Sequence, residues 1–426
     1  SRGLGDVYKR QQLLNDERFP AGFLPEWFEA RHRQMKERAV QLPEPSRHME
    51  SWRFGAPANE SLEGFEAASP LAPETLAAII RDHASMPDAL RVVYANGLPV
   101  SMPEKLPEGL SVMDLEDFVL QYPDLARKHL ENMPEMLGSE RLAALNAALQ
   151  QNGLVILADR EISRPLEIFH FISGDNVAVF PYTLVITENR GRLRILERHI
   201  SADHGMQFCG AMQQHHLSSA SSIKYALVQE LNIRSRAVEL THITADDSAE
   251  MEHLASHPGA AWSRQETVCV LTGDGAHVRL LSANHLKERK QLDQRTYQRH
   301  RYRGASSNLF YASVLDDDSA SVFSGMILVE EGAHDTSAYQ SNRNLILSPQ
   351  AETNSIPGLE ILADRVQCSH GSATSSISPE EIFYLLSRGI PEQTARSMIA
   401  RGFLKHALDQ FSDEAIRTAV ENIVLS

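Results

Sequence analysis

The sequence predicts a mainly β protein in which a long run of strands lies between two helical regions. From residue 154 to about residue 362, apolar side chains often occupy every second position, as at Phe180, Tyr182, Leu184 and Ile186. This period of two is typical of β-strands, and turn-rich breaks recur roughly every ten residues. On both sides of the run, the apolar spacing becomes that of amphipathic helices.

Residues 12–153 are predicted to be mixed and largely helical. The segment LRVVYANGLPV is typical of a β-hairpin, because Asn96-Gly97 tolerates the positive φ angles of a tight turn. The segment SERLAALNAALQQNG predicts a helix that ends at Gly153. Residues 1–11 fit poorly with the rest of the chain and lack the apolar run of a signal peptide, so we interpret them as a non-native leader.

Residues 154–377 form the predicted β core. Apolar residues alternate again from Ile223, and ETVCVLTGDGAHVRLLSA is typical of two strands around a Gly-Asp-Gly turn. About 200 residues of strands is long for one sandwich and suits a β-solenoid, but no strict repeat is visible. The pattern alone leaves a sandwich, a barrel and a solenoid open. For a solenoid, we expect Leu184, Ile186 and Ile223 to point inward.

Residues 378–426 are predicted to form a small helical domain. Ser378 and Glu381 form a capping box, with Pro379 at the first helical position. A following helix carries one apolar face, made by Ala395, Met398, Ile399, Gly402 and Phe403. This domain is either a cap over the open end of the β core or a module that docks a partner.

The composition of the chain argues against several classes of function. The formal net charge of −15 argues against non-specific binding of nucleic acid or of an anionic membrane. No apolar run approaches the roughly 18 residues that a membrane span needs. The three cysteines, Cys209, Cys269 and Cys368, are far apart and form no CxxC pair, so reduced thiols in a cytoplasm are the simpler interpretation.

Nucleotide and hydrolase motifs are missing. The sequence contains no G-x-x-x-x-G-K-[ST] loop, its GDGAHV segment lacks the third glycine of a dinucleotide fingerprint, and it has no G-x-S-x-G elbow. We therefore expect that the chain does not hydrolyse ATP.

Several polar pairs are candidate metal ligands. His215 and His216 are adjacent, so on a strand they point to opposite faces, and we interpret them as surface histidines. The acidic groups Asp246-Asp247 and Asp316 to Asp318 lack the spacing of an EF-hand and are interpreted as solvated turns.

Cys368 and His370 differ from these pairs because residues i and i+2 on a strand share a face. A thiolate with an imidazole suits iron or zinc, but two ligands do not complete a site. The alternative is a buried cysteine beside a hydrogen-bonded histidine.

The segment from Leu359 to Phe403, LEILADRVQCSHGSATSSISPEEIFYLLSRGIPEQTARSMIARGF, resembles the C-terminal signature of the SufB/SufD family of iron–sulfur cluster assembly proteins. SRHMESWRF, from Ser46 to Phe54, and VFSGMILVEEGAHDTSAYQSNRNLILS resemble further family blocks in the same order. Within the family, VQCSHG is most like SufD, and Asn342 takes the position where SufB carries a cysteine. SATSS is closer to SufB, which keeps a SufB-like scaffold as an alternative.

This resemblance implies a right-handed parallel β-helix core flanked by N-terminal and C-terminal α-helical regions. It also implies a non-catalytic subunit of the SufBCD complex, which pairs with SufB, docks the SufC ATPase and aids iron entry. A homodimer is an alternative state of the isolated chain. Cys368 and His370 would then lie near the SufB interface, where SufB could supply a third ligand.

The resemblance further implies that the C-terminal helices dock the ATPase, which alone supplies ATPase activity. The candidate docking residues are Ile382, Phe383, Tyr384, Arg388, Met398 and Phe403. We expect the isolated chain to hold no cofactor stably, and iron or an Fe–S cluster to bind only transiently in the complex.

Two other classes compete with an assembly protein. Many β-helices cleave polysaccharides, which requires clustered carboxylates in a cleft, and the sequence shows no such cluster. A homodimeric structural protein is the third interpretation.

Overall fold

The computed structural model describes residues 24–55, 62, 64–71, 73–150 and 152–425. The predicted leader, residues 1–11, lies outside the described residues. The described chain is mainly β, a β-solenoid of about 8 turns with helices on its N-terminal and C-terminal sides.

The N-terminal part combines helices with short strands. Its elements are α1 (Glu26–Gln41), a 3₁₀ turn (Glu50–Trp52), β1 (Glu66–Ala67), α2 (Pro73–His83), β2 (Leu90–Ala95), β3 (Leu98–Ser101), β4 (Leu110–Asp114), α3 (Leu115–Gln121), α4 (Pro123–Leu130) and α5 (Glu140–Leu149). The predicted hairpin is confirmed: β2 and β3 pair antiparallel around Asn96 and Gly97, whose φ angles are 50° and 81°. The helix predicted to end at Gly153 instead ends at Leu149.

The core is a succession of strands. They are β5 (Leu154–Ala158), β6 (Leu166–Ile172), β7 (Val177–Val179), β8 (Tyr182–Thr187), β9 (Arg192–Ser201), β10 (Gln207–Leu217), β11 (Ser222–Glu230), β12 (Arg236–Ala245), β13 (Glu250–Ser256), β14 (Trp262–Leu271), β15 (His277–Leu286), β16 (Gln291–His300), β17 (Ser306–Leu315), β18 (Ala320–Val329), β19 (Ser337–Ile346), β20 (Glu352–Ile361) and β21 (Gln367–Ser376).

Successive strands alternate between two parallel sheets. The first sheet runs β20-β18-β16-β14-β12-β10-β8-β5-β4, and the second runs β21-β19-β17-β15-β13-β11-β9-β6-β2-β3. Each residue pairs with the residue one coil later, so Trp262 pairs with Gln291 and Gln291 with Ala320. This parallel pairing distinguishes a β-helix from the antiparallel sandwich that the pattern left open.

The coil corners are held by tight polar turns. Ser248 and Asp317 adopt positive φ angles of 53° and 50°, which reverse the chain within a few residues. Asp247 Oδ1 accepts from the Asp274 backbone nitrogen at 2.7 Å, and Asp274 Oδ1 accepts from that of Arg303 at 3.0 Å. The acidic groups of the corners therefore join neighbouring coils, as expected of solvated turns.

The prediction of inward residues is partly wrong. Ile223 lies in the lumen, the space between the two sheets, together with Val185. Leu184 and Ile186 are buried on the outer face, where Phe118 and other residues of the N-terminal helices cover them. Alternation could not distinguish the two faces, because every residue of β8 is buried.

Each sheet carries one helical layer on its outer face. Helix α5 lies against the first sheet, where Asn146 Nδ2 donates to the carbonyl oxygens of Pro181 and Gly210 at 2.8 and 2.7 Å. The C-terminal helices are α6 (Pro379–Leu386), α7 (Glu392–Leu408) and α8 (Glu414–Val424). Within the described ranges, no helix combines the length and the apolar character needed to cross a membrane.

The interpretation of the C-terminal helices as a cap over the open end is wrong. Leu404, Leu408 and Phe411 pack instead against Leu254 and Val314 on the outer face of the second sheet. The apolar residues on that face require a cover, and helices α7 and α8 supply it. Among the described residues, no helix therefore covers the last coil.

We predict that the lumen dominates stability. Replacing the fully buried Ile223 with alanine should reduce the free energy of unfolding by about 3 kcal/mol, because it leaves a cavity between the sheets. Ile233→Ala, at a side chain that is 44% exposed, is the matched control and should change stability by about 0.5 kcal/mol at most. Urea denaturation measures both changes, and equal effects would contradict the assignment of Ile223 to the lumen.

Candidate functional site

Cys368 and His370 lie together on β21, the last strand of the second sheet. They pair with Ala338 and Gln340 of β19, two residues that are buried in the interior. Because parallel pairing keeps side chains of one column on one face, Cys368 and His370 face the lumen side of the last coil. No described strand follows β21 in its sheet, so His370 is exposed and Cys368 half-buried.

In the isolated chain the sulfur of Cys368 favours its protonated form, which is not the form that binds a metal ion. Burial raises the pKa of Cys368, and a hydrogen bond with the Ala338 backbone opposes this shift only in part. A metal ion would therefore have to displace a proton from the sulfur. Among the described residues, no third His, Cys, Asp or Glu joins Cys368 and His370 within ligand distance. Their role as ligands stays a prediction.

Asn342 lies next to this pair, in the lumen. Its Oδ1 accepts from Asn344 Nδ2 at 2.9 Å and from Ser355 Oγ at 2.8 Å, and Ser372 Oγ of β21 lies 3.4 Å away. The Asn342 amide nitrogen is buried without a hydrogen-bond partner. The interior beneath the open coil is therefore polar.

The predicted docking residues divide into two groups. Phe383, Tyr384 and Met398 are 72%, 55% and 49% exposed, and Arg388 is exposed with its guanidinium 4.4 Å from the centre of the Tyr384 ring. Ile382 and Phe403 are only partly exposed, and Phe403 packs against the chain's own C-terminal core. Leu386, which is not among the predicted docking residues, is also 41% exposed on the same helix. Helix α6 contains no buried residue.

The last coil also exposes strand edges. Strands β20 and β21 end their sheets and have described partners on one side only. Ile356, Ile361 and Leu362 are 44%, 39% and 56% exposed at this end of the molecule. Unpaired backbone groups beside exposed apolar side chains are typical of a surface that another chain covers.

His215 and His216 were predicted to be surface residues, and this prediction is wrong. His215 is completely buried in the lumen, with its ring centroid 4.4 Å from that of Tyr225. His216 points outward and lies 4.3 Å from His129 of α4, centroid to centroid. The two side chains point to opposite faces as expected, but the helical layer half-buries the outer one.

The interior holds a cluster of ionisable side chains that the sequence patterns did not predict. His199 Nε2 lies 3.1 Å from Glu197 Oε1, and His170 Nε2 lies 3.4 Å from the same oxygen. The ligand atoms of these three residues all lie within 4.8 Å of one another, and no side chain of the three is more than 3% exposed. Tyr225 donates from its hydroxyl to Glu197 Oε2 at 2.6 Å.

A second carboxylate lies across the lumen. Glu239 of β12 in the first sheet places Oε1 2.9 Å from His199 Nδ1, and its Oε2 lies 2.6 Å from His257 Nε2. Glu197 and Glu239 are both completely buried. A polysaccharide cannot reach either carboxylate, which argues against a carbohydrate-cleaving site here.

The histidines keep both carboxylates ionised. Burial would raise the pKa of Glu239, but the charge of His257 and hydrogen bonds with His199 and His257 lower it to about 2. Burial would also raise the pKa of Glu197, but His170 and His199 hold it well below its usual range. Burial opposes the charged form of His199, yet its neighbours Cys209, Glu197 and Glu239 raise its pKa.

One signal in the sequence could have revealed this cluster. In RLRILERHIS of β9, Leu193 and Ile195 face the lumen, and Glu197 and His199 continue the same face. A carboxylate and an imidazole that replace apolar residues within one alternating pattern indicate a buried polar pair. Their partners on β6, β11 and β12 are distant in sequence and could not be assigned in the same way.

The fold and the site together define a β-solenoid protein with outer helical layers, exposed edges at its last coil and a cluster of buried histidine and glutamate side chains in its interior. The model of a known family, described as the SufBD core domain of the SUF system for FeS cluster assembly, matches residues 170–403. Because this match covers more than half of the chain, the chain belongs to the SufBD family. Members of this family are components of Fe–S cluster assembly.

Similar proteins agree with this assignment. Iron–sulfur cluster assembly protein SufD of Escherichia coli is 25% identical over 390 residues, which are 88% of this chain and 87% of that protein. A SufBD family protein of Synechocystis is 26% identical over 394 residues, with 86% and 83% coverage. SufD of Bacillus subtilis is 21% identical over 412 residues, with 94% coverage of both chains.

We predict that Glu239 contributes to the pH dependence of stability. Its pKa is about 2 in the folded chain and 4.5 for an ordinary glutamate, so the unfolded chain binds this proton first as the pH falls. The contribution, about 3 kcal/mol, is complete above about pH 4.5 and is lost between about pH 4.5 and pH 2. Urea denaturation between about pH 7 and pH 3 should show a steeper loss for the wild type than for Glu239→Gln.

The exposed Glu104 provides the control for this measurement. Glu104→Gln removes the same charge at the surface and should retain the pH dependence of the wild type. An equally steep acid loss in Glu239→Gln would contradict the contribution of this carboxylate.

Proposed function

We propose that the chain is a SufD-like, non-catalytic subunit of an Fe–S cluster assembly complex. In this complex it pairs with a SufB-like paralogue and docks a SufC-like ABC ATPase. The observation that carries the proposal is the open last coil, where unpaired strand edges and the Cys368–His370 pair occur together. Membership of the SufBD family and the similarity to SufD proteins support it.

Pairing with a SufB-like paralogue would continue the sheets past β20 and β21. The exposed edges offer backbone donors and acceptors, and Ile356, Ile361 and Leu362 offer apolar surface. A related β-helix brings the same strand spacing and can match both sheets at once. A homodimer through the same edges is the alternative state of the isolated chain.

The Cys368–His370 pair would acquire its missing ligand at this interface. The two side chains share one face of β21, and the described residues supply no third ligand. A carboxylate or thiolate from the paralogue would complete a site for iron or for a nascent cluster, which are the cargo of the complex. Iron entry through this coil is the role that we propose for the pair.

Docking of the ATPase would use the exposed part of the C-terminal helices. Phe383, Tyr384 and Leu386 project from α6, which has no buried residue, and Met398 projects from α7. Such a helix fits the helix-in-groove mode of recognition. ATP hydrolysis then belongs to the partner, in agreement with the missing Walker motif of this chain.

The compartment that we propose is the cytoplasm, because all three cysteines are free. The net charge of −15 agrees with partners other than nucleic acid.

A substitution that introduces one charge on α6 tests the proposed docking of the ATPase. Phe383→Asp should weaken binding of the SufC-like ATPase by at least about 30-fold, because it places a carboxylate in the apolar contact. Co-expression followed by affinity capture and size exclusion measures the loss. Leu120→Asp, at an apolar side chain that is 53% exposed on α3, is the matched control and should leave capture unchanged. Undiminished capture of the ATPase by Phe383→Asp would place the docking surface elsewhere.

The role of the Cys368–His370 pair is tested in cells. His370→Ala should lower Fe–S cluster formation by about tenfold while the complex still assembles, because an exposed side chain on an edge strand contributes little to folding. Ser369→Ala, at the exposed residue between the pair, is the control and should retain activity.

Cluster formation is read from the activity of an Fe–S enzyme in a strain that depends on the introduced chain. Size exclusion of the purified complex verifies assembly in each variant. If Cys368→Ser combined with His370→Ala matures clusters at the wild-type rate, the pair is structural and the proposed metal role is wrong.

A further inference from the structure

The buried cluster of the second sheet has the composition of a metal site. We propose that His170, Glu197 and His199 bind one divalent first-row transition-metal ion, Fe²⁺ or Zn²⁺, inside the solenoid. Two imidazoles with one carboxylate form a ligand set that both ions accept, and it leaves positions open for further ligands. This inference rests on the cluster alone and not on the proposed partners of the chain.

The distances suit a shared ion. Glu197 Oε1 lies 3.1 Å from His199 Nε2 and 3.4 Å from His170 Nε2. Two ligand atoms that each lie about 2.1 Å from one ion are separated by roughly 3.0 to 3.4 Å at octahedral and tetrahedral angles. The carboxylate and each imidazole are therefore already at the separation of ligands on one metal.

His170 gives a second, independent observation. Its side chain is 3% exposed, yet Nδ1 has no hydrogen-bond partner, and Nε2 lies 3.4 Å from Glu197 Oε1 without forming a hydrogen bond. A buried imidazole with no hydrogen bond is unfavourable, and a metal ion on Nε2 would satisfy one of its two nitrogens. Its ring also lies 5.1 Å from that of His199, centroid to centroid, because the two residues are direct partners across β6 and β9.

The neighbours orient the ligands as they do around bound metals. His199 Nδ1 can donate to Glu239 Oε1 at 2.9 Å, which leaves the lone pair of Nε2 for an ion. Tyr225 donates to Glu197 Oε2, so that Oε1, which Gln213 Nε2 approaches only at 3.5 Å, is the oxygen that faces the ion. His257 in turn contacts the other oxygen of Glu239. His199 and Glu197 are thus each held by a hydrogen bond at the atom that would not bind the ion.

Charge balance favours a divalent ion. Glu197 and Glu239 are both completely buried, and as carboxylates they bring two negative charges to the lumen. With neutral histidines, one divalent cation compensates both charges in a region that solvent does not reach. Without the ion, protonated histidines have to do so.

This site is separate from the Cys368–His370 pair. Strands β11, β13, β15, β17 and β19 lie between β9 and β21 in the second sheet. At about 4.8 Å per strand, the two places are roughly 29 Å apart. Since the three ligands are enclosed, we expect the ion to enter while the chain folds.

The test supplies metal during folding. The full-length chain carrying Cys368→Ser and His370→Ala is expressed in medium supplemented with Co²⁺, Zn²⁺ or Fe²⁺, the last purified anaerobically. Elemental analysis after desalting should find about one ion per chain. Co²⁺ should give visible absorption of a nitrogen and oxygen ligand set. Because this variant lacks the ligands Cys368 and His370, any ion that it retains cannot be bound by that pair. The result for the buried cluster is therefore independent of the proposed role of Cys368 and His370.

Substitutions then locate the ion. Glu197→Gln should lower metal affinity by at least about 100-fold, and Glu239→Gln, which acts through His199, by about 10- to 100-fold. His300→Gln is the matched control, because His300 is also completely buried and its Nε2 lies 2.8 Å from Ser307 Oγ, away from any carboxylate of the cluster. It should retain one ion per chain.

If a variant fails to fold, a crystal structure of the Co²⁺-loaded chain with an intact cluster can still locate the ion. An anomalous peak between His170, Glu197 and His199 would support the site. Metal-free protein after folding with all three ions, equal metal content in Glu197→Gln, or a peak elsewhere would overturn it. Binding of Zn²⁺ but not Fe²⁺, or the reverse, identifies the ion that the site takes.

Discussion

The structure depends on the parallel backbone ladder that joins each strand to the strand one coil later. In the first sheet, Trp262, Gln291 and Ala320 form one such column. Because the ladder keeps side chains in columns, the face of one residue determines the face of its partners along the sheet. Acidic corner residues such as Asp247 and Asp274 repeat the same stacking outside the sheets.

The ladder has two consequences for function. It places His170 of β6 directly beside His199 of β9, and the stacking of coils in both sheets sets Glu239 of β12 opposite His199 across the lumen. It also leaves open edges where it stops, because the last strand of each sheet has no described successor. The first consequence gives a buried polar interior, and the second gives a surface suited to a partner.

Local patterns predicted the strands well and their faces poorly. The alternation around Leu184 and Ile186 identified a strand, but both of its faces are buried, one by the lumen and one by helices. His215 looked like a surface residue for the same reason, since polarity alone does not reveal that a lumen can enclose an imidazole. Cys368 and His370 were placed on one face correctly, because spacing within a single strand decides that geometry.

The sequence by itself determined the mainly β class, the order of helical and β regions, the hairpin at Asn96-Gly97 and the family resemblance, because these depend on neighbouring residues and on long matching segments. Only the tertiary structure decided which strand face is inside, that α7 and α8 cover a flank and not the open end, and that the Glu197 cluster exists. These features depend on contacts between coils and layers. Sequence spacing cannot specify such contacts when both faces of a strand are buried.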